Sequence, residues 1–306
     1  MKKQSKLLAL LLACAMTLAL SACGGNSATT STPAGSAAPA ASGSAAATGD
    51  KTYTIGICQL VQHNALDAAT KGFKDALTEK LGDKVKFVEQ NAAGDSATCA
   101  TICNQFVSSN VDLIMANATP ALQAATAATN SIPILGTSVT DYGTALSIAD
   151  WKGTTGTNVT GTADLAPLDK QAEMIKTLFP DKKNVGILYC SAEPNSKYQS
   201  TEITKYLTDA GYTCKEYTFA DSNDVAAVTK TACDESDVLY VPTDNTAASC
   251  AESINNIAEP AKVPIVAGES GICTGCGVAT LSIDYYDLGV VTGNMAYEVL
   301  VNGADP

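Results

Sequence analysis

The chain has 306 residues, with 31 acidic against 19 basic side chains and a formal charge of −12 at pH 7. Lys2, Lys3 and Lys6 stand at the extreme N-terminus, so everything after them is more acidic still. This balance argues against nucleic acid and anionic lipid headgroups as partners, and 46% hydrophobic residues support a packed globular body.

The basic start leads into an apolar run at residues 7–20, too short and too abruptly ended to span a bilayer as a stable helix. Residues 1–22 therefore read as a signal peptide. Its end, Leu20-Ser21-Ala22-Cys23, resembles the bacterial lipobox, which implies that cleavage leaves Cys23 as the first residue, carrying a diacylglycerol. The alternative is a plain secretory signal with a chance cysteine. Residues 24–50 are almost entirely Gly, Ala, Ser, Thr, Asn and Pro and cannot bury a core. With Cys23 they form a lipid-anchored flexible linker over residues 23–50, whose end-to-end distance is roughly 25–30 Å.

From residue 51 the sequence alternates β-rich runs with amphipathic helices, the signature of an α/β fold. A strand at 53–58 precedes a helix at 64–80, where Leu66, Ala69, Phe73, Ala76 and Leu77 recur at helical spacing and Gly82 offers the stop. Strands at 85–89, 111–115 and 132–135 follow, separated by a helix at 97–108 and one opening at Thr119-Pro120. Residues 153–167 read as a polar, threonine-rich connection. The order then recurs: strands at 185–190, 212–219, DVLYVP and VPIVAG, again separated by helices. Both halves close on an aliphatic-Pro-Ile strand, SIPILG and KVPIVAG. VATLSID and a helix at 285–302 return the chain to the first unit. The expected fold is thus two doubly wound parallel-sheet lobes joined by hinge strands, lobe one at 51–160 plus 284–306 and lobe two at 161–283. Ligand contacts in such sheets come from loops after the C-terminal strand ends, here QLVQHN, NATPA and GTSVTD in lobe one and SAEPNS, PTDNT and AGESG in lobe two.

Taken in order, GICQLVQHNALDAATKGF, DLIMANATPALQAA, SIPILGTSVTD with NVTGT, LYCSAEPNS, VPTDNT and VATLSIDYYDLG resemble the substrate-binding proteins of ABC transporters that bind tryptophan, tyrosine or phenylalanine. The resemblance runs from about residue 53 to the end. It implies the type I periplasmic-binding fold, an amino acid trapped between closing lobes, and delivery to a membrane permease with a cytoplasmic ATPase, outside the cytoplasm and at the membrane. The family pattern crosses its hinge three times; here the sequence stops where the third crossing would begin, about thirty residues short of that pattern.

A zwitterionic ligand needs an anion seat and a cation seat. NATPA suits the first: Ala118 precedes Thr119, a good cap, and Pro120, a good first helical residue, so free N–H groups and the helix dipole face the carboxylate. Thr137, Ser138 and Thr140 add hydroxyls, and the same residues can equally be ordinary caps and turns. For the ammonium, Asp244 is the first choice, with Glu269 and Asp141 in reserve; Asp244 can also be a helix cap, with Thr246 able to cap in its place. Asn245, Ser191, Asn195 and Ser196 offer neutral hydrogen bonds, and Gln59, Leu60 and His63 lie where a ligand side chain would be met. His63, the single histidine, has no metal-ligand spacing around it, and no cofactor is called for.

Nine cysteines follow Cys23. Cys99 and Cys103 share a helix face with Ile102 and Phe106 and read as core. Cys273-Thr274-Gly275-Cys276 is a CxxC in a glycine-rich turn, open to a local disulfide or to free thiols. A sensor of the same fold with a membrane signalling partner, or an extracellular thiol enzyme built on CTGC, are the competing functions. The sequence has no phosphate loop, HExxH or nucleophile elbow.

Overall fold

A computed structural model describes residues 51–306. The expected signal peptide, Cys23 and the expected linker lie outside the described residues. The first lobe runs β1 (Tyr53–Gln59), α1 (Asn64–Leu81), β2 (Val85–Asn91), α2 (Ser96–Ser108), β3 (Leu113–Asn117), α3 (Thr119–Ala128), β4 (Ile134–Val139), α4 (Tyr142–Ala145) and β5 (Val159–Ala163). Gly82, at φ +53°, ends α1 where a residue with a Cβ would be strained. The strands form one parallel sheet in the order β2-β1-β3-β4-β5.

Residues 153–167 are not wholly a connection. Val159–Ala163 pairs with β4 as the edge strand, so the first sheet continues past residue 160. Its residues are partly buried rather than aliphatic, because an edge strand packs incompletely, and this hid it from a pattern search. Thr162 joins Thr137 and Thr292 in a three-hydroxyl cluster, with oxygens 2.8–3.3 Å apart.

The second lobe runs α5 (Leu168–Leu178), β6 (Asn184–Cys190), α6 (Pro194–Asp209), β7 (Thr213–Phe219), α7 (Val225–Glu235), β8 (Val238–Val241), α8 (Asn245–Ser249), α9 (Ala251–Ala261), β9 (Ile265–Ala267), α10 (Ser270–Cys276) and β10 (Ala279–Thr280), before α11 (Tyr285–Asn302). Its parallel order, β10-β9-β8-β6-β7, repeats the winding of the first sheet. CTGC is therefore the last turn of helix α10, not a loop, and its two thiols are free.

Each sheet is covered on both faces, which is why its central strands are buried throughout. In lobe one, Ile55 and Ile57 pack with Phe73, Leu77 and Ala296 on one face, while Cys58 packs with Cys99, Cys103, Phe106 and Leu122 on the other. Lobe two divides likewise, Ile187 and Tyr240 against α5 and α6, Leu188 and Val241 against α7 and α9. Helix α11 lies against α1 in lobe one with almost no side chain between them. A Cβ added at Gly72 would stand 2.1 Å from the Tyr286 carbonyl oxygen, and one at Gly289 would stand 2.0 Å from that of Ala69.

Among the described residues two crossings join the lobes, one after β5 and one before α11. Tyr285 Oη donates to Asp164 Oδ2 at 2.9 Å, fastening one crossing to the other. Gln171 Nε2 donates to the Gly268 and Leu281 carbonyls at 3.1 and 2.9 Å, which holds the second crossing to lobe two.

Candidate functional site

The C-terminal strand ends of lobe one form a row, because the register aligns Gln59 with Asn117 and Asn117 with Thr137. Backbone bonds continue the row past the ladder, from Ala118 N–H to Thr137 O at 3.0 Å and from Asp164 N–H to Val139 O at 3.1 Å. Side chains from β1, β3, β4 and β5 thus reach one edge in strand order. Ala118 has φ +92° and Ser138 φ +54°. Non-glycine residues hold such conformations at a cost of about 1–3 kcal/mol each, and the strain clusters at functional sites. Ser138 also lies where the β4–β5 register shifts, a bulge that re-aims its side chain.

Among the described residues, five buried polar atoms on this edge have no hydrogen-bond partner: His63 Nδ1, Asn117 Oδ1, Thr119 Oγ1, Ser138 Oγ and Asp164 Oδ1. Beside them, α3 opens with its first intrahelical bond from Leu122 N–H to Ala118 O. Pro120 has no N–H, so the donors of the first turn are those of Thr119 and Ala121 at the positive end of the helix. The edge therefore presents unpaired hydroxyls at Thr119 and Ser138 beside the start of α3 and, farther along, an unpaired carboxylate oxygen at Asp164. Burial holds the Asp164 pKa above the ordinary carboxylate value, opposed by the hydrogen bond from Tyr285 and by the nearby Thr140 hydroxyl.

Several residues expected to meet a ligand are committed to the scaffold. Gln59 Nε2 donates to Asp67 Oδ1 at 2.7 Å and its Oε1 accepts from Thr70 at 2.6 Å. Thr137 belongs to the three-threonine cluster, Asp141 caps α4 through Thr144 N–H at 2.7 Å, and Ser191 donates to the Phe219 carbonyl at 3.2 Å. Asp244, the first choice for the ammonium, caps α8: Oδ1 accepts from Ala247 N–H and Oδ2 from Cys190 N–H, both at 2.7 Å. Thr246 cannot cap in its place, because its N–H and hydroxyl both donate to Glu193 Oε1 at 2.8 Å. Glu269 caps α10 through the Gly271 and Ile272 N–H groups. Burial raises the pKa of Asp244, with the Glu193 charge adding to it, and burial raises that of Glu269 as well.

In lobe two the hub is Glu193, buried to 3% exposure. Its carboxylate accepts from Asn195 Nδ2 at 3.1 Å, Asn245 Nδ2 at 2.6 Å and Asn245 N–H at 3.1 Å, as well as from Thr246. Asn195 also donates to Ser196 Oγ and the Thr243 carbonyl, while its own Oδ1 is buried without a partner. Asn245 Oδ1 lies 3.2 Å from His63 Nε2, a hydrogen bond directly between the lobes. Burial lowers the His63 pKa, opposed by the Asn245 bond and the charges of Glu193 and Asp67.

Between the lobes is a cavity of about 140 Å³, whose walls include Leu60, Val61 and Pro120 of lobe one and Ala192, Glu193 and Thr246 of lobe two. That is close to the roughly 150 Å³ of an apolar cavity able to hold benzene. Sequence reasoning missed Asp164, Glu193 and Tyr285: the first stood in the threonine-rich stretch taken for a linker, and the others are recognisable only through their partners. Burial raises the thiols of Cys273 and Cys276, the latter to about 12, the reverse of what a thiol nucleophile requires.

Residues 54–306 match the family model described as ABC transporter substrate binding protein. The tyrosine-binding protein of Clostridioides difficile (strain R20291) is 40% identical over 253 residues, 82% of this chain and 73% of the relative. Among solved structures, a Streptococcus pneumoniae ABC domain in complex with L-Trp is 36% identical with a TM-score of 0.80, covering 84% of this chain and 87% of that one. The ligand-free, open form of a substrate-binding protein with adhesive properties from Clostridium difficile is 39% identical, but its TM-score is 0.59 over 83% of this chain and 86% of its own. Shape thus agrees better with the complex than with the open form although sequence identity does not. With its two like-wound lobes and the cleft between them, the chain belongs to the ABC transporter substrate-binding protein family and has the type I periplasmic-binding fold.

Proposed function

We propose that this protein is the lipid-anchored receptor of an ABC importer and captures an L-aromatic amino acid, tyrosine, tryptophan or phenylalanine, between its lobes. The observation that carries the reading is the row of unpartnered buried polar atoms along the strand ends of lobe one, together with a cavity of benzene size whose wall includes Pro120, next to Thr119 in that row. Buried polar groups are normally paired, and a zwitterion with a ring supplies what this cleft lacks. The ligand carboxylate takes the first turn of α3 with Thr119 and Ser138, and its ammonium takes Asp164. The ring occupies the cavity between Leu60, Pro120 and Ala192, and Asn195 closes from lobe two. This orientation assigns Asp244 and Glu269 to helix caps.

The names of two of the similar proteins described above, a tyrosine-binding protein and an L-Trp complex, agree with this ligand class. Cys23 holds the protein at the outer face of the membrane, within reach of the permease that receives the ligand and of the ATPase behind it. A thermal-shift screen tests the ligand: a hundredfold excess over Kd stabilises by about 2.7 kcal/mol, roughly 5–10 °C for a body of this size. A shift with an aromatic amino acid and none with sugars is expected; the reverse overturns the assignment. The anchor is tested by detergent partitioning in a bacterial host that processes lipoproteins, where Cys23→Ser should leave the detergent phase.

A further inference from the structure

The bond between the lobes fixes more than closure. Asn245 Nδ2 is committed to the Glu193 carboxylate at 2.6 Å, which turns its Oδ1 towards His63 Nε2 at 3.2 Å. A carbonyl oxygen can only accept, so the hydrogen resides on Nε2 and the neutral ring presents Nδ1 as a bare acceptor. That Nδ1 is buried and has no partner.

Strand order says which end of a ligand it meets. His63 follows β1, whereas Ser138 and Asp164 stand at the ends of β4 and β5, two and three strands away along β1-β3-β4-β5. Neighbouring strands are about 4.8 Å apart, so the row from the His63 loop to Asp164 covers roughly 14 Å, and one ammonium cannot serve both. The benzene-sized cavity lies on the His63 side: Leu60 and Val61 precede His63 in the same loop, and Glu193 and Thr246 flank its partner Asn245.

We infer that His63 reads a hydrogen-bond donor on the ligand's side chain, so that the cleft selects aromatic amino acids with an O–H or N–H on the ring, tyrosine and tryptophan, over phenylalanine. The inference rests on the aromatic reading above and narrows it. Phenylalanine fills the same cavity but leaves Nδ1 buried and unsatisfied, a loss on the order of ten- to a hundredfold in affinity. An O-methyl ether of tyrosine keeps the oxygen and removes the hydrogen, so it faces Nδ1 with an acceptor and is rejected as phenylalanine is.

Calorimetric titration of the wild type with L-tyrosine, L-tryptophan, L-phenylalanine and O-methyl-L-tyrosine tests this without altering the protein. Tyrosine and tryptophan should bind at least tenfold more tightly than the other two. Equal affinities for tyrosine and phenylalanine overturn the role of His63 and leave the aromatic reading standing; no binding by any of the four overturns both. In His63→Leu, all affinities fall through loss of the bond to Asn245, but those for tyrosine and tryptophan fall further, so that the preference for tyrosine over phenylalanine collapses towards one. A purely structural His63 would lower the affinities and leave that ratio intact, which also overturns the inference. Should the variant fail to fold, the O-methyl comparison on the wild type decides.

Discussion

Replacing Asp164 with asparagine separates a ligand seat from a structural carboxylate, because it acts in opposite directions on the empty and the occupied protein. Asp164 is 2% exposed, one oxygen accepts from Tyr285 Oη at 2.9 Å, and the other has no partner. Asparagine keeps the shape and an acceptor for Tyr285 and removes a charge that burial disfavours. Stability of the ligand-free protein should therefore hold or rise by about 1 kcal/mol. Its pH dependence should change as well. The folded-state pKa of Asp164 is raised, so its contribution to stability is full below the unfolded value of about 3.9 and is lost as pH rises through the folded value. Asparagine removes that limb. Binding moves the other way: a buried ammonium deprived of its counter-charge loses about 2–5 kcal/mol, at least about thirtyfold in Kd. Calorimetric titration with L-tyrosine, with melting of the empty protein from pH 3.5 to 7, measures both. An unchanged Kd refutes the seat. Asp244→Asn is the companion variant. It should lose about 1–2 kcal/mol of stability, because one N–H of Cys190 or Ala247 then faces an amide NH₂, while Kd stays within about threefold.

At Gly289, valine would drive its Cβ into the Ala69 carbonyl, and overpacking of this kind costs about 1–3 kcal/mol; an unchanged denaturation midpoint would contradict the close approach of α1 and α11. Affinity should fall on acidification, because the closed state lowers the His63 pKa and so favours the neutral ring. The sign is fixed by that depression: binding is full above the exposed-histidine value of about 6.5 and weakens as pH drops below it, with Asn245, Glu193 and Asp67 the groups facing the ring. Titrations from pH 8 to 5.5 that show tighter binding in acid would contradict this. Cys273 and Cys276 should alkylate slowly at pH 7, since burial raises both thiols; fast labelling of either would return CTGC to consideration as a reactive site.

The lobes were legible in the sequence because parallel strands buried on both faces leave dense apolar runs such as DLIMAN and VGILYC. The edge strand β5 was not, since a strand packed on one side needs no such run. At the site, Thr119 and Pro120 announced α3 and its donors, and the strain at Ala118 lay hidden in an unremarkable residue. The carboxylates divide by what surrounds them. Asp244 and Asp164 follow strands in similar ways, and only three-dimensional neighbours show that Ala247 and Cys190 occupy both oxygens of the first while one oxygen of the second is free. CTGC misled in the other direction, because glycine and cysteine at that spacing suit a turn as well as the end of α10.

A comparison of three ligands tests most directly that the cleft holds both ends of a zwitterion and a ring at once. L-tyrosine should titrate with one site per chain, whereas tyramine, which lacks the carboxylate, and 3-(4-hydroxyphenyl)propionate, which lacks the ammonium, should each bind at least about thirtyfold more weakly. If either truncated compound binds as tightly as L-tyrosine, the seat it cannot fill, at Thr119 and Ser138 or at Asp164, does not hold the ligand.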